Sequence, residues 1–401
     1  MTGATIAQAI PIIISPILTR IYTPEDFGLF ALYMSFASLI ALSATGRYEL
    51  AIMLPRKEED AANIVYLSIV ITIFISLITL VVIFLFNKQI ANLLGDDNLS
   101  KLLFLVPITV LLTGTYQTFN YWSIRKEQYR LLATNRVIQS TVAATSNLSI
   151  GLSGLTTNGL IVSSIIGQAI STSVLVKKVW KKDSSTIKKA KKIKIIALLR
   201  KYKKLPIFNL PNALIDGIRL SGINILIAKF FATATLGQFS LAWKMVQLPI
   251  SLISGSLSQV FFQKLSKLEH KKLYSFILKY IFKASLISSP LFLIIYYFSE
   301  NIFIIAFGEK WEVAGKIASI LSPWVFLNFI TSPLSRVFII LNIQEKLLIF
   351  SIIYMMTPLL ILYIFKNEDF LTVISYISVA MSTFLLLFLA MVLVYTKKNH
   401  L

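Results

Sequence analysis

Cysteine is absent from the 401 residues, which excludes disulfides, thiolate metal sites and cysteine nucleophiles and leaves the redox compartment open. Only two histidines occur, His270 and His400, both in polar stretches, so no histidine-based active site is expected. Charge is scarce as well: Asp, Glu, Lys and Arg make up 14% of the chain, against about 25% in soluble domains. With 56% hydrophobic residues, such a chain could not cover a water-facing surface. Acids are the rarer charges, 18 against 39 Lys and Arg, so the net charge is +21. No Walker-A loop occurs, and with it goes ATP hydrolysis on this chain. The adjacent acids Glu58-Glu59 and Asp96-Asp97 stand in short loops, where paired carboxylates are solvated. The sequence therefore describes an integral membrane protein that is not an enzyme, with no catalytic residue, metal or cofactor expected.

Long apolar runs fill the rest. A hydrocarbon core of about 30 Å takes roughly 20 helical residues to cross. Twelve stretches meet that length: 2–20, 27–54, 62–86, 102–122, 131–152, 159–176, 207–230, 237–263, 275–298, 314–341, 347–365 and 371–395. The runs are continuous, unlike the roughly ten-residue alternation of membrane barrel strands. The first span begins at residue 2 and is expected to act as its own insertion signal. The expectation is an all-α fold of about twelve transmembrane helices.

Lys and Arg orient the spans, because they accumulate in cytoplasmic loops. With both termini cytoplasmic, the inner loops and tail hold 25 of them and the outer loops 6. The same count rescues the weakest span, 131–152, which carries Asn135, Arg136, Gln139, Ser140, Thr141, Thr145, Ser146 and Asn147. Without it, the most basic segment would lie outside, so it is kept as a helix facing protein or a wet cavity. That basic segment, 177–204, holds thirteen Lys and Arg against one acid, Asp183. Nucleic-acid binding is the lesser reading of it. Interleaved Ile193, Ile195, Ile196, Leu198, Leu199 and Tyr202 favour a helix lying at anionic lipid headgroups. The segment divides the chain into an N-terminal six-helix bundle (1–176), a basic cytoplasmic connector (177–206) and a C-terminal six-helix bundle (207–401).

A faint repeat supports the halves. A shift of 209 positions sets ILTRIYTPEDFGLFALY (17–33) beside LIAKFFATATLGQFSLA (226–242), matching Gly28 with Gly237, Phe30 with Phe239, Leu32 with Leu241 and Arg20 with Lys229. Repeats of one orientation enclose a substrate site between them in transporters.

A charge near the bilayer centre costs on the order of 3 kcal/mol, so depth separates function from anchoring. Lys279, Lys283, Arg136 and Arg336 stand within about two turns of span ends and are read as snorkelling. Arg47 and Glu49 are either interfacial or cavity-lining. Asp216 and Arg219 lie near the middle of the seventh span, at a spacing that permits either a neutralised structural pair or a working one. Lys244 follows in the eighth span. Gln117, Asn120, Gln139, Asn147, Asn212, Gln247 and Gln259 extend the polar set. Together they suggest a wet, net-positive central cavity and an anionic substrate.

The stretch SPILTRIYTPEDFGLFALY (15–33) resembles the first-helix signature of the Wzx-type O-antigen flippases, members of the multidrug/oligosaccharidyl-lipid/polysaccharide (MOP) exporter superfamily. LLRKYKKLPIFNLPNALI (198–215) and LGQFSLAWKMVQLPISLISGSLSQVFF (236–262) resemble the start of that family's second half. The resemblance implies a fold of two six-helix bundles around a central cavity, as in the MATE exporters. It also implies translocation of undecaprenyl-diphosphate-linked oligosaccharide, an O-antigen or capsule repeat unit, from the cytoplasmic to the outer leaflet of a bacterial inner membrane. Arg219 and Lys244, helped by Arg47, would then neutralise the diphosphate, and Asp216 or Glu49 would carry a coupling proton. Partners would be the lipid-linked substrate, membrane lipids and the polymerase and chain-length machinery of polysaccharide and lipopolysaccharide assembly. A cation-coupled multidrug exporter of the same superfamily is the alternative, and a membrane polysaccharide polymerase a more remote one.

Overall fold

Among the described residues the apolar stretches lie mainly on helix, and no strand occurs. The structure, a computed structural model, describes residues 2–187, 192–250, 265, 270–341 and 343–398. The chain forms two compact units, Met1–Leu236 and Gly237–Leu401.

In the first unit, α1 (Thr2–Ile13) and α2 (Ser15–Ile21) form one broken apolar rod, followed by α3 (Pro24–Ala41). The turn between them is a start signal. Thr23 accepts from the Asp26 amide at 3.2 Å, Asp26 Oδ2 accepts from the Thr23 amide at 2.9 Å, and Pro24 occupies the first turn, where no amide hydrogen is needed. Next come α4 (Glu58–Leu94), α5 (Leu99–Leu103), α6 (Val106–Arg125), α7 (Tyr129–Leu152) and α8 (Thr156–Ile187). Two more, α9 (Lys192–Lys201) and α10 (Leu210–Phe231), complete the unit. The 37 residues of α4 include a kink at Phe86 (φ −126°, ψ 16°), and the helix is about 42 Å long before the kink. Phe74, Val81, Phe84 and Leu85 stand exposed along it, Phe84 at 73%, a surface that only lipid could cover. Gly95 ends it in a left-handed turn (φ 92°), and a side-chain carbon there would lie 2.6 Å from the Lys229 Cα. Glycine is thus required both for the turn and for the approach of α10. Packing groups α10 with this unit: it lies on α3, Gly217 seats against Leu39 and Leu42, and Asn224 Nδ2 donates to Ser35 Oγ at 2.9 Å.

The weak span is a full 24-residue helix, α7, packed along α8. Its polar side chains are part of the reason. Asn135 Nδ2 donates to Ser171 Oγ at 2.9 Å, Gln139 donates to Gln168 Oε1, and Gly167 lets the two backbones approach. Small and amide side chains do this in lipid, where apolar contact alone gives helices no reason to pair.

The boundary between the units falls within α11 (Thr233–Val246), and the stretch 237–263 beyond residue 250 lies outside the described residues. The second unit continues with α12 (His270–Phe307), α13 (Glu312–Thr331), α14 (Ser335–Ile340), α15 (Gln344–Ile364) and α16 (Phe370–Lys398). Serines join α12 to α13: Ser299 Oγ donates to the Gly315 carbonyl at 2.8 Å and Ser322 Oγ to the Phe292 carbonyl at 2.9 Å. Seven described helical segments are long and apolar enough to cross a membrane, and a shorter apolar helix covers Thr5–Ile21. The helix starts also recur. α3, α6, α7 and α8 begin at 24, 106, 129 and 156, and α11, α13, α15 and α16 at 233, 312, 344 and 370. Every interval lies between 206 and 215 residues, around the shift of 209 read from the sequence.

Candidate functional site

The expected cavity residues divide between the two units. In the first, they gather where α3 breaks. Gly46 (φ 58°) and Arg47 (φ 63°) are consecutive left-handed residues, and the chain resumes as a 3-10 turn, Tyr48–Met53. Arginine is disfavoured in that conformation, so its surroundings must hold it. They do so through side chains. The Arg47 Nη1 lies 3.5 Å from Glu49 Oε1, and its Nε donates to Asn209 Oδ1 at 3.1 Å. Glu49, 1% exposed, also accepts from Thr45 Oγ1. Arg47 itself keeps 21% of its side chain accessible. Tyr121 on α6 lies within electrostatic range of both charges.

Asn209 owes its position to an irregular backbone. Pro206 and Pro211 lack amide hydrogens, and Leu205–Asn209, which contains the first of them, winds as a single π turn closed by the Leu210 amide on the Leu205 carbonyl. Arg125 braces the same region, donating to the Ile52 carbonyl at 3.0 Å and the Pro55 carbonyl at 2.7 Å. The resulting site is a buried carboxylate, a partly accessible guanidinium and an amide, held by two distorted turns. It can bind an anion through the free edge of Arg47 or exchange its internal ion pair for one.

The remaining residues are less concentrated. Asp216 and Asn212 are exposed on α10; Arg219 belongs to the same helix, and its side chain lies outside the described residues. On α6, Gln117 and Asn120 are half-buried, and Asn120 Oδ1 is buried with no hydrogen-bond partner among the described residues. Asn147 Oδ1 is in the same condition, while the Asn147 carbonyl accepts from the Tyr22 hydroxyl at 2.8 Å. Gln139 is engaged with Gln168 across α7 and α8. In the second unit, Lys244 is exposed on α11 and Gln247 half-buried one turn on, whereas Gln259 lies outside the described residues. Beside Lys244, Trp243 packs on Trp324 with ring centres 4.9 Å apart, and Trp324 Nε1 donates to the Tyr354 hydroxyl at 2.7 Å. Arg136, Lys279, Lys283 and Arg336 are exposed.

Sequence reasoning passed over Thr45 and Asn209, which complete the Arg47–Glu49 group. The only signal was Asn209 standing between two prolines. It also passed over the link from Trp122 Nε1 to Asp183 Oδ2, 2.9 Å long and buried. Sixty-one residues separate those partners, and no local pattern joins them.

Comparison with known proteins follows from this architecture. A solved lipid II flippase, MurJ in an inward closed conformation, superposes with a TM-score of 0.75 at 15% identity, covering 97% of this chain and 87% of its own. An inward-facing multidrug resistance MATE transporter of the MOP superfamily gives a TM-score of 0.68 at 13% identity, covering 98% and 94%. At such identities the likeness concerns the fold, which is that of a multi-pass membrane transporter. No curated protein matches the chain by sequence. The model of one family, described as polysaccharide biosynthesis protein, matches residues 17–316, well over half of the sequence, and the chain belongs to that family.

Proposed function

We propose that the protein is a flippase for undecaprenyl-diphosphate-linked oligosaccharide, an O-antigen or capsule repeat unit. It would carry this from the cytoplasmic to the periplasmic leaflet of a bacterial inner membrane, with both termini cytoplasmic. The observation that carries this reading is the polysaccharide-biosynthesis match over 17–316 on a fold shared with a lipid II flippase. A diphosphate with several sugars cannot cross hydrocarbon unaided, since each unsatisfied polar group costs several kcal/mol there. The lipid tail stays in the bilayer while the head group passes through water between two six-helix lobes, 1–176 and 207–401, which open alternately to either side. Arg47, Arg219 and Lys244 neutralise the diphosphate, and Asp216 or Glu49 carries a coupling proton. The polar set from Gln117 to Gln259 wets the path. The polymerase and chain-length machinery of the same polysaccharide receive the product.

The MATE likeness favours a second reading, a cation-coupled exporter of small drugs. One experiment separates them. Deleting the gene should abolish the surface polysaccharide and leave lipid-linked repeat units on the inner leaflet, without changing drug sensitivity. Complementation by Arg47→Gln or Lys244→Gln, at equal protein level, should restore less than a tenth of the polysaccharide. Full restoration by both variants would refute the assigned role of these cations, and unaltered polysaccharide in the deletion strain would refute the function.

A further inference from the structure

Where α8 runs into the basic connector it carries an open groove of about 610 Å³, lined by Thr172, Ser173, Val176, Lys177, Trp180 and Lys181. Its wall is largely apolar, and the Thr172 hydroxyl is turned away to the Leu112 carbonyl at 3.4 Å. Depth along the helix gives the groove a direction. Twenty residues from the start of α8 at Thr156 exhaust the hydrocarbon, so Lys177–Lys182 stand at headgroup level. Thr172, Ser173 and Val176 lie one to two turns deeper, among acyl chains. Trp180, 43% exposed, sits between the lysines at the height where tryptophan favours a membrane interface.

The charge around the groove is of one sign for a structural reason. Lys177, Lys178, Lys181 and Lys182 are all exposed, while the single acid of the stretch, Asp183, is buried and bound by Trp122 of α6. That bond also fixes the rotation of α8, so Lys177 and Lys181 flank the groove and Lys178 and Lys182 stand beside it.

We propose that this groove is a binding site for an anionic phospholipid of the leaflet that carries the basic connector. The phosphate lies between Lys177 and Lys181, Trp180 packs at the glycerol level, and an acyl chain runs over Val176 toward Thr172. Cationic pockets at a membrane face recognise anionic headgroups in this way, each lysine strengthening attraction near the surface. A bulk phospholipid fits better than a polyprenyl carrier, because it is abundant enough to occupy an open groove continuously. The inference does not depend on the transported substrate.

The test uses the full-length protein in detergent with added dioleoyl-phosphatidylglycerol or dioleoyl-phosphatidylcholine, bound lipid being counted by native mass spectrometry. The wild type should retain one phosphatidylglycerol and no phosphatidylcholine. The double variant K177Q/K181Q should bind phosphatidylglycerol about 30-fold more weakly, from two lysines. The control K178Q/K182Q should stay within about threefold of wild type. Phosphatidylglycerol with brominated acyl chains should quench tryptophan fluorescence in the wild type, and Trp180→Phe should remove that component. All four residues are exposed, and identical size-exclusion profiles would establish that the variants fold. Equal losses in the two double variants would reduce the effect to a diffuse charged surface and overturn the site. So would no loss in either. Displacement of phosphatidylglycerol by undecaprenyl diphosphate in the wild type, and not in K177Q/K181Q, would make the groove a carrier-lipid site and overturn the phospholipid assignment.

Discussion

The Arg47–Glu49 pair makes a quantitative claim. At 3.5 Å, two unit charges attract by about 4.7 kcal/mol at an effective dielectric constant of 20. Desolvating a carboxylate that is 1% exposed cancels much of this, and the accessible fifth of Arg47 screens some of the remainder. A net coupling of about 1–2 kcal/mol remains, above the few tenths typical of exposed pairs. Glu49→Gln isolates the charge, because glutamine still offers Thr45 an acceptor. Arg47→Gln keeps the same left-handed backbone, so the strain at φ 63° is common to both proteins. For a unit the size of Met1–Leu236, each kcal/mol corresponds to about 2 °C of melting temperature. Each single variant should melt about 2–4 °C below wild type in detergent micelles. The double variant should lie well short of the sum, since the second substitution removes a partner already lost. Strict additivity, with a coupling below about 0.3 kcal/mol, would refute the claim that these two residues stabilise one another.

Two further expectations concern backbone geometry. A side-chain carbon at Gly315 would lie 2.6 Å from the Glu300 Cα and 2.9 Å from the Ser299 carbonyl oxygen, both backbone atoms. Gly315→Ala should therefore force α12 from α13, weaken the Ser299 bond and cost about 2–3 kcal/mol, seen as reduced yield of folded protein and earlier melting. Ala232, between α10 and α11, has φ 84° and ψ 153°, a region that only glycine occupies at ease. Ala232→Gly should raise the melting temperature by the equivalent of about 1 kcal/mol, and a lower one would show that no strain resides there.

The fold was legible because lipid leaves few choices. Continuous apolar runs of twenty residues must be helices, and the distribution of Lys and Arg forced residues 131–152 into the count although their composition argued against it. The structure supplies the reason that hydropathy could not: Asn135 and Gln139 have partners on α8, thirty or so residues away. Boundaries were less legible. The stretch 27–54 reads as one span, but Gly46 and Arg47 divide it, since left-handed backbone leaves no mark in hydrophobicity. The same stretch starts three residues late, because Pro24, Glu25 and Asp26 are polar or break apolar runs and yet form the capped first turn of α3. Candidate site residues were legible as polar groups inside spans, but not sorted. Sequence alone does not distinguish Gln139, bonded across two helices, from Asn120, whose oxygen is buried without a partner among the described residues.

That sorting bears on mechanism. Polar groups matched within one unit, such as Ser299 with Gly315 or Asn135 with Ser171, contribute to helix association whatever the protein carries. Their loss would lower stability and activity together. Arg47 and Lys244 differ, because each keeps part of its charged side chain accessible within an apolar stretch. Hydrocarbon would penalise that by several kcal/mol for each charge, so both ends require water or an anion beside them. Under the proposed function, Lys244→Gln should therefore lower polysaccharide export with the melting temperature held, whereas Arg47→Gln lowers both because its ion pair with Glu49 is lost.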